Sequence, residues 1–317
     1  MTTEPLVDPE LKPALEAAPR MEFVGEGLLA TRAAIKERAS AVAIPEGLPV
    51  SLETLTVPGA DGGPPVRVLA YSPTNVTGLR PAILHMHGGG YLIGTADMTD
   101  LANRQMAADL GCAIFSVDYR LAPETAHPGP VEDCYAALKW VRDNAARFKV
   151  DTTRIGVKGE SAGGGLAAAL ALLARDRGEI SLAFQHLIYP MIDDRTCIHE
   201  NPHPFVGEFV WTRADNRHGW SALLGGAPGD PDVSPYAAAA RASDLTGLPP
   251  TFISVGALDL FLEEDLDYAR RLTRVGVPVE LHVYPGAFHG FGMMPTARVS
   301  QAAERDSREA LRRALHG

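Results

Sequence analysis

The sequence predicts an α/β fold, a mostly parallel sheet covered by helices on both faces. Beyond residue 83, short apolar β-like runs alternate with helical stretches, and that alternation sets helices on both sides of parallel strands. The run Gly159-Glu160-Ser161-Ala162-Gly163 stands between a strand-like segment, residues 154–158, and a Leu- and Ala-rich one, residues 164–174, so strand turns sharply into helix. A chain of 317 residues, 46% hydrophobic and 21% charged, is long enough to bury a sizeable core in one large domain or two small ones.

Taken in order, residues 10–40 alternate charged side chains with Leu, Ala, Met and Phe at helical spacing, broken by Pro13 and Pro19. They predict one or two amphipathic helices whose apolar side covers something. Residues 51–57 and 66–71 are β-like and are separated by the Pro- and Gly-rich stretch 58–65, which predicts an antiparallel hairpin at a sheet edge. Further strands are predicted over residues 82–86, 113–117, 184–189, 251–255 and 279–284, with helices over 98–110, 131–148, 164–175, 263–275 and 296–314. Between residues 192 and 231 the rhythm stops. This stretch is rich in Asp, Arg, His and Pro, carries Phe205, Phe209, Trp211 and Trp220, and shows no strand signal. Loops this long in a compact domain are usually lids or binding segments, and the aromatics suit a cover over a site. The chain divides accordingly into N-terminal cap helices (1–45), a first core part (46–192), a cap insertion (193–230) and a second core part (231–317).

A formal net charge of −10 argues against a nucleic-acid partner, because phosphate binding wants a basic face. The first ten residues carry Glu4, Asp8 and Glu10 without a basic or apolar leader pattern, and the longest apolar stretch is too short to span a bilayer, so a cytoplasmic protein without membrane insertion is expected. Cys112, Cys134 and Cys197 lack metal-type spacing and read as small buried hydrophobes in a reducing compartment. No H-E-x-x-H occurs, His199 and His203 read as surface residues, and neither metal nor cofactor is expected.

The chemistry begins at Ser161. A serine on so sharp a turn takes a strained backbone, at a cost of roughly 1–3 kcal/mol, and the residues two before and two after come too close for side chains, as Gly159 and Gly163 allow. The turn exposes the hydroxyl and aims the first helix amides at whatever it attacks. His87-Gly88-Gly89-Gly90 follows an apolar run directly. Three glycines there suit backbone amides approaching a developing oxyanion, and we take Gly88, Gly89 and Ala162 as the donors. A flexible or phosphate-binding loop is the alternative, yet no G-x-G-x-x-G or P-loop lysine is present. His289 lies in a Gly-rich loop after the last strand, where an imidazole, with an ordinary pKa of ~6.5, suits a general base; alone it serves a loop equally well. Asp259 also lies past a strand end. The order Ser161, Asp259, His289 is that of acyl hydrolases built on such sheets, whereas Glu263, Glu264 and Asp265 read as capping the next helix.

The segments His87-Gly88-Gly89-Gly90-Tyr91, Tyr119-Arg120-Leu121-Ala122-Pro123-Glu124, Gly159-Glu160-Ser161-Ala162-Gly163-Gly164 and Phe288-His289-Gly290-Phe291, with Asp259, together resemble the bacterial hormone-sensitive-lipase family (family IV) of α/β-hydrolase carboxylesterases. The resemblance implies an eight-stranded, mostly parallel sheet with strand two antiparallel, a helical cap, and carboxylesterase activity on short- to medium-chain acyl esters through an acyl-enzyme. It further implies a homodimer joined at the last strand's edge. It carries over Ser161 as nucleophile, His289 as base, Asp259 as the acid orienting it, and Glu124 as a carboxylate supporting the elbow. The family usually has Asp or Thr where this chain has Glu160, which puts the hydrogen bonding behind the elbow in question. Tyr91, Met191, Phe205 and Trp211 are the candidate pocket walls. Two other readings compete, an amidase or aminopeptidase with the same triad and a non-catalytic small-molecule binder; the presence of His289 argues against the second.

Overall fold

The computed structural model describes residues 2–17 and 21–317. The expected break at Pro19 lies outside them. Eight strands form one sheet: β1 (Val50–Val57), β2 (Val66–Pro73), β3 (Arg80–Met86), β4 (Ala113–Asp118), β5 (Val150–Glu160), β6 (Gln185–Ile188), β7 (Thr251–Gly256) and β8 (Val279–Tyr284). Their order is β1-β2-β4-β3-β5-β6-β7-β8. β2 runs antiparallel to both its neighbours and every other pairing is parallel, so the edge hairpin and the single reversed strand both match expectation.

The helices are α1 (Lys12–Ala17), α2 (Gly25–Ala41), α3 (Asp100–Leu110), α4 (Gly129–Asp143), α5 (Ala145–Phe148), α6 (Ala162–Arg177), α7 (Arg213–Leu224), α8 (Leu262–Arg274) and α9 (Arg298–His316). α6 is buried without interruption from Ala162 to Ala174, because its Ala and Gly residues let it lie close on β3, β5 and β6 at the middle of the molecule. β3 and β7 are buried along their whole length, as strands covered on both faces must be. The helix expected over 131–148 is two pieces, α4 and α5, parted at Asn144, whose side chain bonds back to the Trp140 carbonyl.

The stretch 192–231 contains a helix, α7, where composition suggested only a loop. Asp215, Asn216, His218 and Gly219 in its interior are poor helix formers. It begins at a capping box in which Thr212 accepts the Asp215 amide and Asp215 accepts the Thr212 amide. That Thr-x-x-Asp spacing was the signal available in the sequence. A buried ion pair and buried hydrogen bonds tie the stretch to the core: Arg241 forks onto Asp194, and Glu264 of α8 accepts the amides of Ile192 and Asp193.

At the N-terminus, Thr3 is bonded to Glu208, the Asp8 amide to the Gly286 carbonyl, and Arg298 to Glu10. Val7, Leu11 and Ala14 pack with Leu258, Ala287, Phe288 and Phe291 in one apolar cluster. α2 buries only Leu28 of its own residues, and Arg32 fixes it by donating to the carbonyls of Leu92 and Ala122 and forking onto Glu124. Cys112, Cys134 and Cys197 are free and buried. No helix among the described residues is long and apolar enough to cross a membrane.

Candidate active site

The end of β5 and the start of α6 meet at Ser161, whose φ of 56° and ψ of −122° lie outside the ordinary basins for an L-residue. The fold imposes this from both sides. The Ser161 amide donates to the Ile188 carbonyl at 2.9 Å, and its carbonyl accepts the amides of Gly165 at 2.9 Å and Met191 at 3.0 Å. A Cβ on Gly159 would stand 2.1 Å from the Gly163 carbonyl oxygen, and one on Gly163 would stand 2.1 Å from that of Met86. Glycine is required at both positions for lack of space.

Three side chains distant in sequence converge here. Ser161 Oγ lies 2.9 Å from His289 Nε2, and His289 Nδ1 lies 2.8 Å from Asp259 Oδ2. An ionised carboxylate only accepts, so Nδ1 carries the imidazole proton and Nε2 is left to accept from the hydroxyl. The other oxygen of Asp259 accepts the Phe261 amide at 3.0 Å, and the residue is fully buried. Tyr189 and Phe261 set their rings edge-on to the imidazole, at 4.8 and 5.0 Å, and fix its plane from two sides. Neither was singled out in the sequence, because aromatic packing on a distant histidine leaves no local pattern.

The glycine loop after β3 lies against the serine. A Cβ on Gly88 would be 3.1 Å from the Glu160 carbonyl oxygen and 3.4 Å from Ser161 Cβ. Gly89 has a φ of 128° and accepts the amides of Leu92 and Ile93, which folds the loop back on itself. Among the described residues the amides of Gly88 and Gly89 donate to no protein acceptor, and Ala162 opens α6, where the first amides have no helical partner. His87 stabilises the loop: its Nδ1 lies 2.8 Å from the Gly88 carbonyl oxygen, its ring stacks on Tyr119 at 4.3 Å, and its carbonyl accepts the Tyr119 hydroxyl at 2.6 Å. Burial pushes the His87 pKa down and keeps that ring neutral.

Behind the elbow, Glu160 binds Lys158 with one carboxylate oxygen and faces His85 Nε2 at 2.9 Å with the other. His85 Nδ1 is in turn 3.0 Å from Ser116 Oγ. Burial opposes the charge on Glu160, but Lys158 and His85 together outweigh it and hold the carboxyl well below the usual carboxylate range. Lys158 was missed in the sequence, although two residues apart on one strand puts both side chains on one face. The support expected from Glu124 is not found there. Glu124 is half exposed and holds Arg32, so it anchors α2 and leaves the elbow to Glu160.

Of the candidate walls, Trp211 is buried and lies on the glycine loop, so close that a Cβ on Gly90 would be 2.0 Å from its indole. Tyr91 donates its hydroxyl to the Met191 carbonyl at 2.9 Å, and both residues are fully buried. Phe205 departs from expectation: it is 47% exposed and packs edge-on to His203, which the polar, proline-flanked segment holds toward solvent. Glu264 also does more than cap α8, since it accepts the Ile192 and Asp193 amides.

A family model described as alpha/beta hydrolase fold matches residues 83–293. The chain is 37% identical to carboxylesterase NlhH of Mycobacterium tuberculosis, over 98% of this chain and 97% of that protein. It is 32% identical to esterase LipI of the same organism, over 99% and 97%. Among solved structures, a bacterial heroin esterase superposes with a TM-score of 0.92 at 44% identity over all of both chains. Esterase LipW from Mycobacterium marinum superposes with a TM-score of 0.86 at 33% identity over 99% and 98%.

Proposed function

The chain belongs to the α/β-hydrolase family, in its hormone-sensitive-lipase-like branch, and is a carboxylic ester hydrolase; from that premise we propose that it cleaves short- to medium-chain acyl esters through Ser161, His289 and Asp259. The observation that carries this reading is the continuous line from Ser161 Oγ through both imidazole nitrogens to the Asp259 carboxylate, at 2.9 and 2.8 Å. In the reaction, His289 Nε2 takes the hydroxyl proton as Ser161 Oγ attacks the ester carbonyl carbon. The amides of Gly88, Gly89 and Ala162 hold the resulting oxyanion. The imidazolium, stabilised by Asp259, gives its proton to the departing alkoxide, and the alcohol leaves. Water then attacks the acyl-serine by the same steps and releases the acid.

We further infer that the N-terminal helices and the 193–230 segment cap this site, with Trp211, Tyr91 and Met191 bounding its oxyanion side. Pocket shape at that wall then sets acyl preference, since one methylene is worth only ~1–3 kcal/mol. The three free, buried cysteines favour a reducing, cytoplasmic setting. β8 is an open edge with Leu281 and Val283 partly exposed, which supports a homodimer through that strand. Sedimentation at working concentration decides that point, and a monomer would remove it.

The central test is burst kinetics on p-nitrophenyl esters of increasing chain length, with the corresponding anilides alongside. Esters should turn over, fastest at short chains, and anilides should lag far behind. Ser161→Ala should stay folded, lose the burst and keep a residual ~10³ over water from the oxyanion donors. Near-normal turnover in that variant would end the triad assignment.

A further inference from the structure

Glu160, where the family usually has Asp or Thr, borders a second cavity. It has a volume of about 760 Å³ and lies between α3, α9 and the ends of β5, β6 and β7. That is ample for a small molecule, for which sites commonly run from about 300 to 1,000 Å³. Its lining changes character with depth. Arg305, Arg308 and Arg312 of α9 rim it, while Lys158 and Ser254, buried to 6% and 3% exposure, lie at its floor beside Ile188 and Phe291. Each rim arginine is already paired, Arg305 with Asp306, Arg308 with Glu304 and Asp109, and Arg312 with Glu309, so an anionic head falls to the buried Lys158. Among the described residues Glu160 is the one partner of the Lys158 ammonium, which has three hydrogens to give. A buried ammonium with donors to spare, beside the apolar Ile188 and Phe291, suits a ligand with one anionic head and a short apolar tail.

We propose that this cavity binds a small monocarboxylate, its head on Lys158 and its tail toward Ile188 and Phe291, and that occupancy lowers kcat. Ester hydrolysis releases molecules of this class, so the ligand's chemistry is that of the enzyme's own acid product.

Two contacts connect the cavity to the triad. A carboxylate on the spare hydrogens of Lys158 shares the ammonium with Glu160 and pulls it toward the cavity, and Glu160 immediately precedes Ser161 and has its carbonyl against Gly88. Drawing Lys158 away leaves the Glu160 charge on His85 alone, which loosens the support behind the elbow. Tyr189 also lines the cavity and sets its ring edge-on to the His289 imidazole at 4.8 Å. Occupancy therefore acts on the geometry of attack and leaves the substrate's entry free. Inhibition is of kcat, with KM little changed.

The test measures kcat and KM for p-nitrophenyl acetate in sodium butyrate against sodium chloride at fixed ionic strength, which holds screening constant. Butyrate should lower kcat by about fivefold or more, the low end of ordinary allosteric couplings. Gln105→Trp, which fills the cavity from α3 without touching the triad, should abolish that effect, and so should Lys158→Met. A binding arm needs no turnover: calorimetry on enzyme whose Ser161 has been capped by a phosphonate should still register butyrate. Purely competitive inhibition, no binding to capped enzyme, or an undiminished effect in Gln105→Trp would each overturn the proposal. Failure of the phosphonate to react at Ser161 would count against the triad reading instead.

Discussion

At the scale of single residues, the site depends on one proton being in the right place. Asp259 has no solvent contact and spends one oxygen on the Phe261 amide and the other on His289 Nδ1. Asp259→Asn would present an amide in its place and favour the tautomer with the proton on Nε2, where it cannot accept from Ser161. We expect kcat to fall on the order of 10⁴-fold while the fold survives; a loss of tenfold or less would mean that Asp259 does not set the tautomer. Much of this was legible in the sequence, because the elbow, the glycine triplet and the Ser, Asp, His order are local patterns. Glu160's partners were not. Lys158 shares the strand and face of Glu160, but His85 and the Ser116 that bonds it come from β3 and β4, and only the register of β5 on β3 and β3 on β4 brings them together.

At the scale of elements, α2 is a helix with little apolar anchorage, and its attachment is largely polar. Arg32 alone joins it to the Leu92 and Ala122 carbonyls and to Glu124. Leu92 donates its amide to Gly89, so this clamp bears on the loop that carries two of the proposed oxyanion donors. Arg32→Ala should cost about 1–3 kcal/mol of stability, read from denaturant midpoints, and should lower kcat more than it raises KM. Unchanged kinetics would show the loop to be rigid without the helix. The elements were largely legible because their periods are strong: the edge hairpin and the helices flanking the sheet are where they were expected, and the reversed second strand is as the family resemblance implied. It failed at α7, whose capping box lies inside a composition typical of loops, and at Phe205, because an aromatic in a variable segment packs inward or outward according to contacts that no local pattern encodes.

At the scale of the whole molecule, buried acids make stability depend on pH. Asp265 is fully buried and both its oxygens lack a partner among the described residues. Burial, with the nearby Glu264 and Asp259 charges, pushes its pKa well above the ordinary range. A carboxyl whose folded pKa is raised binds its proton more tightly in the native state. Its stabilising share is therefore full below the unfolded pKa and is lost as pH rises toward the folded one. Glu160 works in the opposite sense: its folded pKa is lowered, so its share is present above the unfolded value and is lost in acid. Asp265→Asn, uncharged at every pH, should gain in Tm relative to the parent protein from about pH 5 to about pH 8. A constant difference in Tm across that range would show that Asp265 titrates alike in both states.

The packing of Val7 and Leu11 on the loop that carries His289 has a temporal consequence. The segment around residues 7–11 cannot reach its place until the chain has been made past residue 298, since Asp8 docks on Gly286 and Glu10 on Arg298. A nascent chain holding the finished elbow is still without His289, its proposed base. On the proposed triad, hydrolytic competence therefore waits for segments some 280 residues apart to be joined.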